Sequence, residues 1–389
     1  MTYNAVMRLL FVADGRSPIA QNWIRYFVER GDEVHLVSTF HCSVDFPLTG
    51  LDILPVAFSG AKKLTDTPAT ASSRTLGLRT VIRQWLGPLT LPRAARVLRL
   101  IIERVQPDLV HALRIPYEGM LAAEAYTGVP LIVSAWGNDF TLHAPSTPLM
   151  RHYTEWTLKV ADALHTDCQR DIRLAKQLGF AFDKPTLVAP GNGGIRTDIF
   201  YPPQTPVDAP VVINPRGFRA YIRNDAFFKA IPLVLAKRGD ARFICLSMAG
   251  QSQATQWIKE LNIQHAVDLL PPMPHAQVAD VFRTAQVVVS PSIHDGTPNS
   301  LLEGMACGCF PVAGDLESIR EWITDGVNGL LVDSGDPSAL AEAILRAVKN
   351  KDLRAQAAGL NQEIIVERAE FTRNMARAEV FYQTVIGKW

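Results

Sequence analysis

SPSIHDGTPNSLLEGMACGCFPVAGDLESIREWITDGVNGLLV, residues 290–332, is the stretch on which the fold turns. It continues an apolar run, QVVVSPS (286–292), that reads as a buried strand ending at Ser290-Pro291-Ser292. A turn-rich segment follows, Asp295-Gly296-Thr297-Pro298-Asn299. The spacing then predicts a helix opening near Ser300, with Glu303 in its first turn, and a second apolar run, CFPVAGD (309–315). Strand, loop, helix and strand in that order form a parallel βαβ unit. In open parallel sheets ligands bind beyond the carboxyl ends of the strands. A helix N-terminus there offers free N–H groups and a positive dipole end to an anion. Gly296 lets backbone approach closely, and the Glu303 carboxylate suits vicinal hydroxyls better than phosphate. Those two demands together describe a sugar nucleotide. The alternative is a surface strand–loop–helix with an incidental glutamate.

The same grammar extends outward on both sides. In the first half, MRLLFVAD (7–14), EVHLVST (33–39), DILPV (52–56), PDLVHAL (107–113) and PLIVSAWGND (130–139) read as strands. Residues 18–30 and 92–105 read as helices. After residue 200 the pattern restarts with VVINPRG (211–217), RFICLSMAG (242–250), AVDLLPPM (266–273) and GLLVD (329–333), with helices over 276–284, 300–307, 316–324 and 336–349. The Pro-rich PPQTPVDAP (202–210) is the expected linker, and 372–386 an amphipathic helix. The expected division is therefore 1–200, 201–370 and a C-terminal helix, 371–389, packing back toward the first domain.

Composition narrows the function classes. The 389 residues carry 39 Lys+Arg against 38 Asp+Glu, a net charge of +1, which gives no support for whole-surface nucleic-acid binding. Five cysteines without paired spacing suggest a reducing compartment rather than a disulfide scaffold. The first residues read as a buried strand, not a signal peptide. No apolar run approaches the ~20 residues that span a bilayer. A cytoplasmic protein is expected, with one qualification. Residues 67–102 contain Arg74, Arg79, Arg83, Arg93, Arg96 and Arg99 and no acid, interleaved with apolar residues and Trp85. That is either a solvated helix face over core residues or an amphipathic patch for anionic lipid at the inner membrane face.

The 290–332 stretch resembles the C-terminal signature of glycosyltransferase family 4, a retaining family of the GT-B fold. That signature places an acid eight residues before a glutamate, as Asp295 and Glu303 stand here. It continues through Ala306-Cys307-Gly308-Cys309-Phe310-Pro311-Val312 and Asp325-Gly326-Val327-Asn328-Gly329-Leu330-Leu331-Val332. Asp295 stands where the family more often has the longer Glu. Pro215-Arg216-Gly217 resembles the Gly-Arg that follows the first strand of the family's second domain. The family's nearby Lys is replaced by Arg, either Arg219 or Arg223, with Arg223 preferred.

The resemblance implies two Rossmann-like, doubly wound α/β domains facing across a cleft, the first for acceptor and the second for donor. It implies transfer of a sugar from a nucleotide diphosphate to an acceptor hydroxyl, in cell-surface polysaccharide or glycolipid synthesis. Donor contacts are then expected from Gly15 in the first strand-end loop, Arg216, Arg219, Arg223, Met273, Asp295, Gly296, Thr297, Pro298, Asn299, Ser300 and Glu303. Asp139, Arg216, Arg223 and Asp295 are the expected catalytic groups. Asp139 lies in Trp136-Gly137-Asn138-Asp139, where many relatives carry a histidine near the reacting sugar. His111, ending PDLVHAL, faces the cleft or serves structure. The acceptor is a glycan or lipid-linked molecule, and no cofactor or metal is expected. No G-x-S-x-G, Walker loop, H-E-x-x-H or D-x-D occurs. A GT-B-fold sugar-nucleotide epimerase and a non-catalytic nucleotide-sugar-binding subunit are the alternatives.

Overall fold

The computed structural model describes residues 6–59, 81 and 83–388. Arg74 and Arg79 of the basic stretch lie outside the described residues. The chain divides into two compact units, one running to Gly193 and resuming at Met375, the other Gly194–Asn374.

In unit 1 the strands are β1 (Arg8–Ala13), β2 (Glu33–Ser38), β3 (Gly50–Ile53), β4 (Leu109–Ala112), β5 (Leu131–Ala135), β6 (Ala163–Thr166) and β7 (Thr186–Val188). All pair in parallel, in the order β3-β2-β1-β4-β5-β6-β7. The central strands are buried on both faces, which is why β1 and β5 read as unbroken apolar runs rather than alternating ones. The helix Pro18–Arg30 shows how local sequence sets its ends. Ser17 Oγ accepts from the Ala20 N–H, Pro18 opens the helix, and Gly31 closes it at φ 95°. Its buried Ala20, Trp23, Ile24 and Phe27 form the stripe laid against the sheet.

Unit 2 repeats the winding with β8 (Val211–Asn214), β9 (Arg242–Cys245), β10 (Val267–Leu269), β11 (Val287–Ser290), β12 (Phe310–Gly314) and β13 (Leu330–Val332). Their order is β10-β9-β8-β11-β12-β13, again all parallel. The doubly wound α/β class expected from the sequence is the class observed.

Several expectations need correction. The segment 316–324 forms turns, not a helix. Its side chains are tied to the neighbouring loop instead: Ser318 Oγ donates to the Asp295 carbonyl at 2.7 Å and Trp322 Nε1 to Thr297 Oγ1 at 3.0 Å. The strand expected over 52–56 is Gly50–Ile53. The structure adds β6, β7 and the helices Pro148–Val160, Gln169–Gln177 and Lys351–Ile364 to the expected elements. The Pro-rich 202–210 lies within unit 2, where the Val207 carbonyl accepts from Gln286 Nε2 at 2.9 Å. The unit boundary falls at Gly193 and Gly194, both at positive φ. The helix Phe371–Ile386 joins unit 1 from Met375 onward. There Tyr382 stacks on Phe27, ring centroids 4.5 Å apart, and Arg30 pairs with Glu379 at 3.0 Å.

Candidate active site

The site in unit 2 sits where the winding reverses, between the carboxyl ends of β8 and β11. β8 ends at Asn214, fully buried. Asn214 Oδ1 accepts from the Arg216 N–H (3.1 Å), its Nδ2 donates to Asn224 Oδ1 (3.0 Å), and Asn224 Nδ2 donates to the Gly217 carbonyl (2.8 Å). Two buried amides thus clamp the loop that carries Arg216. β11 ends at Ser290, and the loop after it is held by Ser292 Oγ, which donates to Asp295 Oδ2 at 2.9 Å.

These two loops bring Arg216 and Asp295 together. Arg216 Nη2 lies 2.6 Å from Asp295 Oδ2, and Nη1 donates to Ser300 Oγ at 3.2 Å. Both charged side chains are nearly enclosed, 12% and 10% exposed. The pairing orients the guanidinium and leaves its buried Nε without a hydrogen-bond partner. Buried Asn299 Oδ1 is likewise unpartnered. Such orphaned polar atoms are rare in folded proteins and point to function.

The helix Asn299–Ala306 begins here with no side chain capping it, so its first N–H groups face the loop. It starts one residue earlier than the sequence suggested, placing Glu303 just past the first turn. The helix lies directly on β11 because residue 304 is glycine: a Cβ there would stand 2.9 Å from Val288. Glu303 is buried, and burial pushes its carboxyl up to about 7, with the Arg216 charge opposing in part.

The remaining expected donor residues are placed as follows. Gly296, Thr297 and Pro298 are buried in the same loop. Arg223 pairs through Nε and Nη2 with Asp225, both at 2.8 Å, and Arg219 is exposed and bonds the Phe218 carbonyl. Neither joins the Arg216–Asp295–Ser300 cluster. Met273 packs at the edge of the Phe200–Phe282 core cluster. Gly15 lies in unit 1, where its N–H donates to Ser38 Oγ at 3.0 Å and a Cβ would collide with Cys42 Sγ at 2.4 Å.

Asp139, the catalytic group expected in unit 1, stands in the loop after β5. It is 1% exposed and both oxygens are engaged. Oδ1 accepts from Arg114 Nε (3.0 Å), and Oδ2 from the N–H groups of Trp136 (3.1 Å) and Ile115 (3.3 Å). The carboxylate therefore ties the loop after β4 to the loop after β5. His111 is also interior. Its Nδ1 bonds Tyr382 Oη, and its Nε2 bonds Ser134 Oγ at 2.8 Å. Ser134 Oγ meets His165 Nδ1 at 2.8 Å, and His165 Nε2 donates to the Ala189 carbonyl at 3.0 Å. Trp23 Nε1 donates to Tyr382 Oη at 2.8 Å. Burial holds both imidazoles below their ordinary range, His165 down to about 4, so the chain is neutral and structural.

Sequence reasoning did not find the supporting shell of Asn214, Asn224, Ser292 and Ser318. The one available signal was Asn214, a polar residue ending an otherwise apolar run directly before Pro215-Arg216.

Comparison with known proteins agrees with this fold. Residues 14–191 match the model of the "Glycosyl transferase 4-like domain", and residues 212–350 that of "Glycosyl transferases group 1". Among curated relatives, the D-inositol 3-phosphate glycosyltransferase of Thermobispora bispora is 28% identical over 225 residues, covering 53% of this chain and 52% of that one. The enzyme of the same name from Streptosporangium roseum is 35% identical over 113 residues, 29% of this chain and 26% of that one. The matches thus span about half the length of these relatives or less. Among solved structures, sucrose-phosphate synthase from Thermosynechococcus elongatus superposes with a TM-score of 0.75 at 16% identity, covering 98% of this chain and 99% of that one. HepE from Anabaena, solved with UDP-glucose, gives 0.71 at 16% identity, covering 98% and 100%. The two family models cover most of both units, and the chain belongs to the family 4 glycosyltransferases of GT-B fold.

Proposed function

We propose that the protein is a retaining glycosyltransferase that moves a sugar from a nucleotide-diphosphate sugar to an acceptor hydroxyl. The observation that carries this reading is the enclosed cluster of Arg216, Asp295 and Ser300 at the uncapped start of the helix Asn299–Ala306, with Glu303 beneath it. Breaking the glycosidic C–O bond puts negative charge on the departing diphosphate. Arg216 and the helix N-terminus are aimed to take up that charge, the preorganised electrostatics that dominates many active sites. The unpartnered Arg216 Nε and Asn299 Oδ1 supply one donor and one acceptor for the bound donor. Glu303, ionised, accepts the ribose hydroxyls. Retention follows from attack on the same face of the sugar, with a donor phosphate oxygen taking the acceptor proton, so no protein nucleophile is needed. Arg223 and Arg219 serve, in this reading, only after movement of their loop. UDP and UDP-glucose are bound by the structural relative HepE, which makes a uridine nucleotide the first donor to try.

The acceptor is a glycan or a lipid-linked molecule of cell-surface synthesis, and the site of action the cytoplasmic face of the membrane. No helix among the described residues is long and apolar enough to cross a bilayer. Support for surface contact comes from the segment around the helix Leu91–Val105. Trp85, Leu89 and Leu100 are 54%, 63% and 65% exposed, and Arg93 and Arg96 are exposed beside them. Apolar side chains mixed with arginines suit an anionic lipid surface.

The test is Arg216→Ala and Glu303→Ala with a panel of UDP-, GDP-, ADP- and dTDP-sugars. Arg216→Ala is expected to lower turnover on the order of 10²–10³, as removal of an oxyanion donor does. Unchanged affinity and turnover in both variants would remove the site. A glycoside product separates transfer from epimerisation.

A further inference from the structure

Unit 1 carries a cationic crevice at the corresponding point of its own sheet. β1 and β4 are neighbours, and the chain leaves them toward opposite edges, so the loops after them diverge beyond the strand ends. The first loop supplies Arg16 and the second Arg114. Phe40, just past β2, lies under Arg16, whose guanidinium carbon is 3.5 Å from the ring centroid. Arg83 reaches the same ring at 5.3 Å and the Tyr117 ring at 4.8 Å, and its own carbonyl accepts from Tyr117 Oη at 2.7 Å. Arg114 is close enough that it and Arg83 both depress neighbouring His143, which burial chiefly holds down at about 4 and therefore neutral.

The acids nearby pair unevenly with these charges. Arg16 pairs with Asp14 at 2.9 Å and Arg114 with Asp139 at 3.0 Å. Glu118 is buried, bonds Thr39 Oγ1, and is pushed up by burial, with the charges of Arg114 and Arg83 opposing in part. Arg83 is the cation left without an ion pair. Among the described residues no carboxylate forms an ion pair with it, and its buried Nε has no hydrogen-bond partner. A guanidinium beside two aromatic rings, with its Nε donor unmatched, can offer a planar fork to a tetrahedral oxyanion. Arg16 also lines an open depression together with Gln21, His41, Cys42 and Ser43.

We infer that this crevice binds a phosphate ester on the acceptor, with Arg83 as the principal contact and Arg16 and Arg114 completing the cationic wall. The inference rests on the proposed transferase reading, in which unit 1 takes the acceptor. A phosphate ester could arrive on a soluble molecule or on a lipid headgroup, and the experiment separates the two.

Full-length protein is titrated with glycerol 3-phosphate, with glycerol as the uncharged control. In parallel it is sedimented with phosphatidylcholine vesicles with and without 10 mol% phosphatidic acid. Expected is binding of the phosphate ester but not of glycerol, weakened at least tenfold in Arg83→Gln and less in Arg83→Lys. Arg83-dependent binding to the phosphatidic acid vesicles alone assigns the lipid source; Arg83-dependent binding of glycerol 3-phosphate assigns the soluble one. Should Arg83→Gln fail to fold, the wild-type chain gives the answer: glycerol 3-phosphate is expected to slow phenylglyoxal modification of Arg83, read by mass spectrometry. Phosphate binding in neither arm, binding indifferent to Arg83, or no protection of Arg83 overturns the inference. Nucleotide-sugar binding measured alongside, with Arg216→Ala as its reference, keeps failure here distinct from failure of the donor site.

Discussion

Two buried carboxylates, one in each unit, stand at strand-end loops of sheets wound the same way. Asp139 in unit 1 is met by a guanidinium and two backbone N–H groups. For Glu303 in unit 2, burial outweighs the favourable charge of Arg216, and its carboxyl rises to about 7. Burial alone therefore does not mark a catalytic acid. A satisfied buried acid holds structure together; one that the fold leaves underserved is waiting for a ligand's donors. His111 and His165 of unit 1 are likewise satisfied, their ring nitrogens bonded to Tyr382 Oη, Ser134 Oγ and the Ala189 carbonyl.

The largest effect expected from this contrast lies at Asp139. Asp139→Ala leaves the Arg114 charge and two N–H groups without their acceptor. We expect a loss of roughly 3 kcal/mol in chemical unfolding, toward the low end for a broken buried pair because Arg114 is 35% exposed. Nucleotide-sugar affinity, a property of unit 2, should not change. A stable variant with weakened donor binding would reverse the roles assigned to the two acids.

Glu303 offers a smaller effect with a distinctive pH signature. Its folded value of about 7 lies above the ordinary 4.5, so the fold favours the protonated form. The stability it contributes is fully present below the unfolded value and is lost as pH rises through about 7. Donor binding should move the opposite way, because only the carboxylate accepts two hydroxyls. Affinity for the sugar nucleotide is expected to rise roughly tenfold from about pH 6 to pH 8, following the ionised fraction, and Glu303→Gln should abolish that slope. A flat profile in the wild type would disconnect Glu303 from the donor.

The smallest effect concerns the closed polar interior of unit 1. Tyr382→Phe removes the oxygen that Trp23 Nε1 and His111 share. A melting shift corresponding to about 1–2 kcal/mol is expected, the penalty for an unsatisfied buried donor, with turnover at saturating donor unchanged. A kinetic effect without a stability effect would make the network part of the reaction.

Much of this was legible in the residues. Apolar runs buried on both faces announced the parallel strands, and Ser17, Pro18 and Gly31 announced the ends of the first helix. The order Asp295, Ser300 and Glu303, running from a strand end into a helix, marked the candidate site. The turns at 316–324 were not legible, because Ser318 and Trp322 act through bonds to residues more than twenty positions away. Asp139 misled for a related reason. Its partner Arg114 comes from another strand's loop, which its sequence neighbours do not show.

By itself the sequence determined the class of fold, the polarity of each βαβ unit and the residue types at the donor loop, since these depend on periodicity and local backbone chemistry. Only the tertiary structure decided which arginine is enclosed with Asp295, which acid is satisfied and which is not, and that Arg83 lies without an ion pair beside two aromatic rings. Charge pairing and desolvation depend on distances between segments remote along the chain, and folding alone sets those.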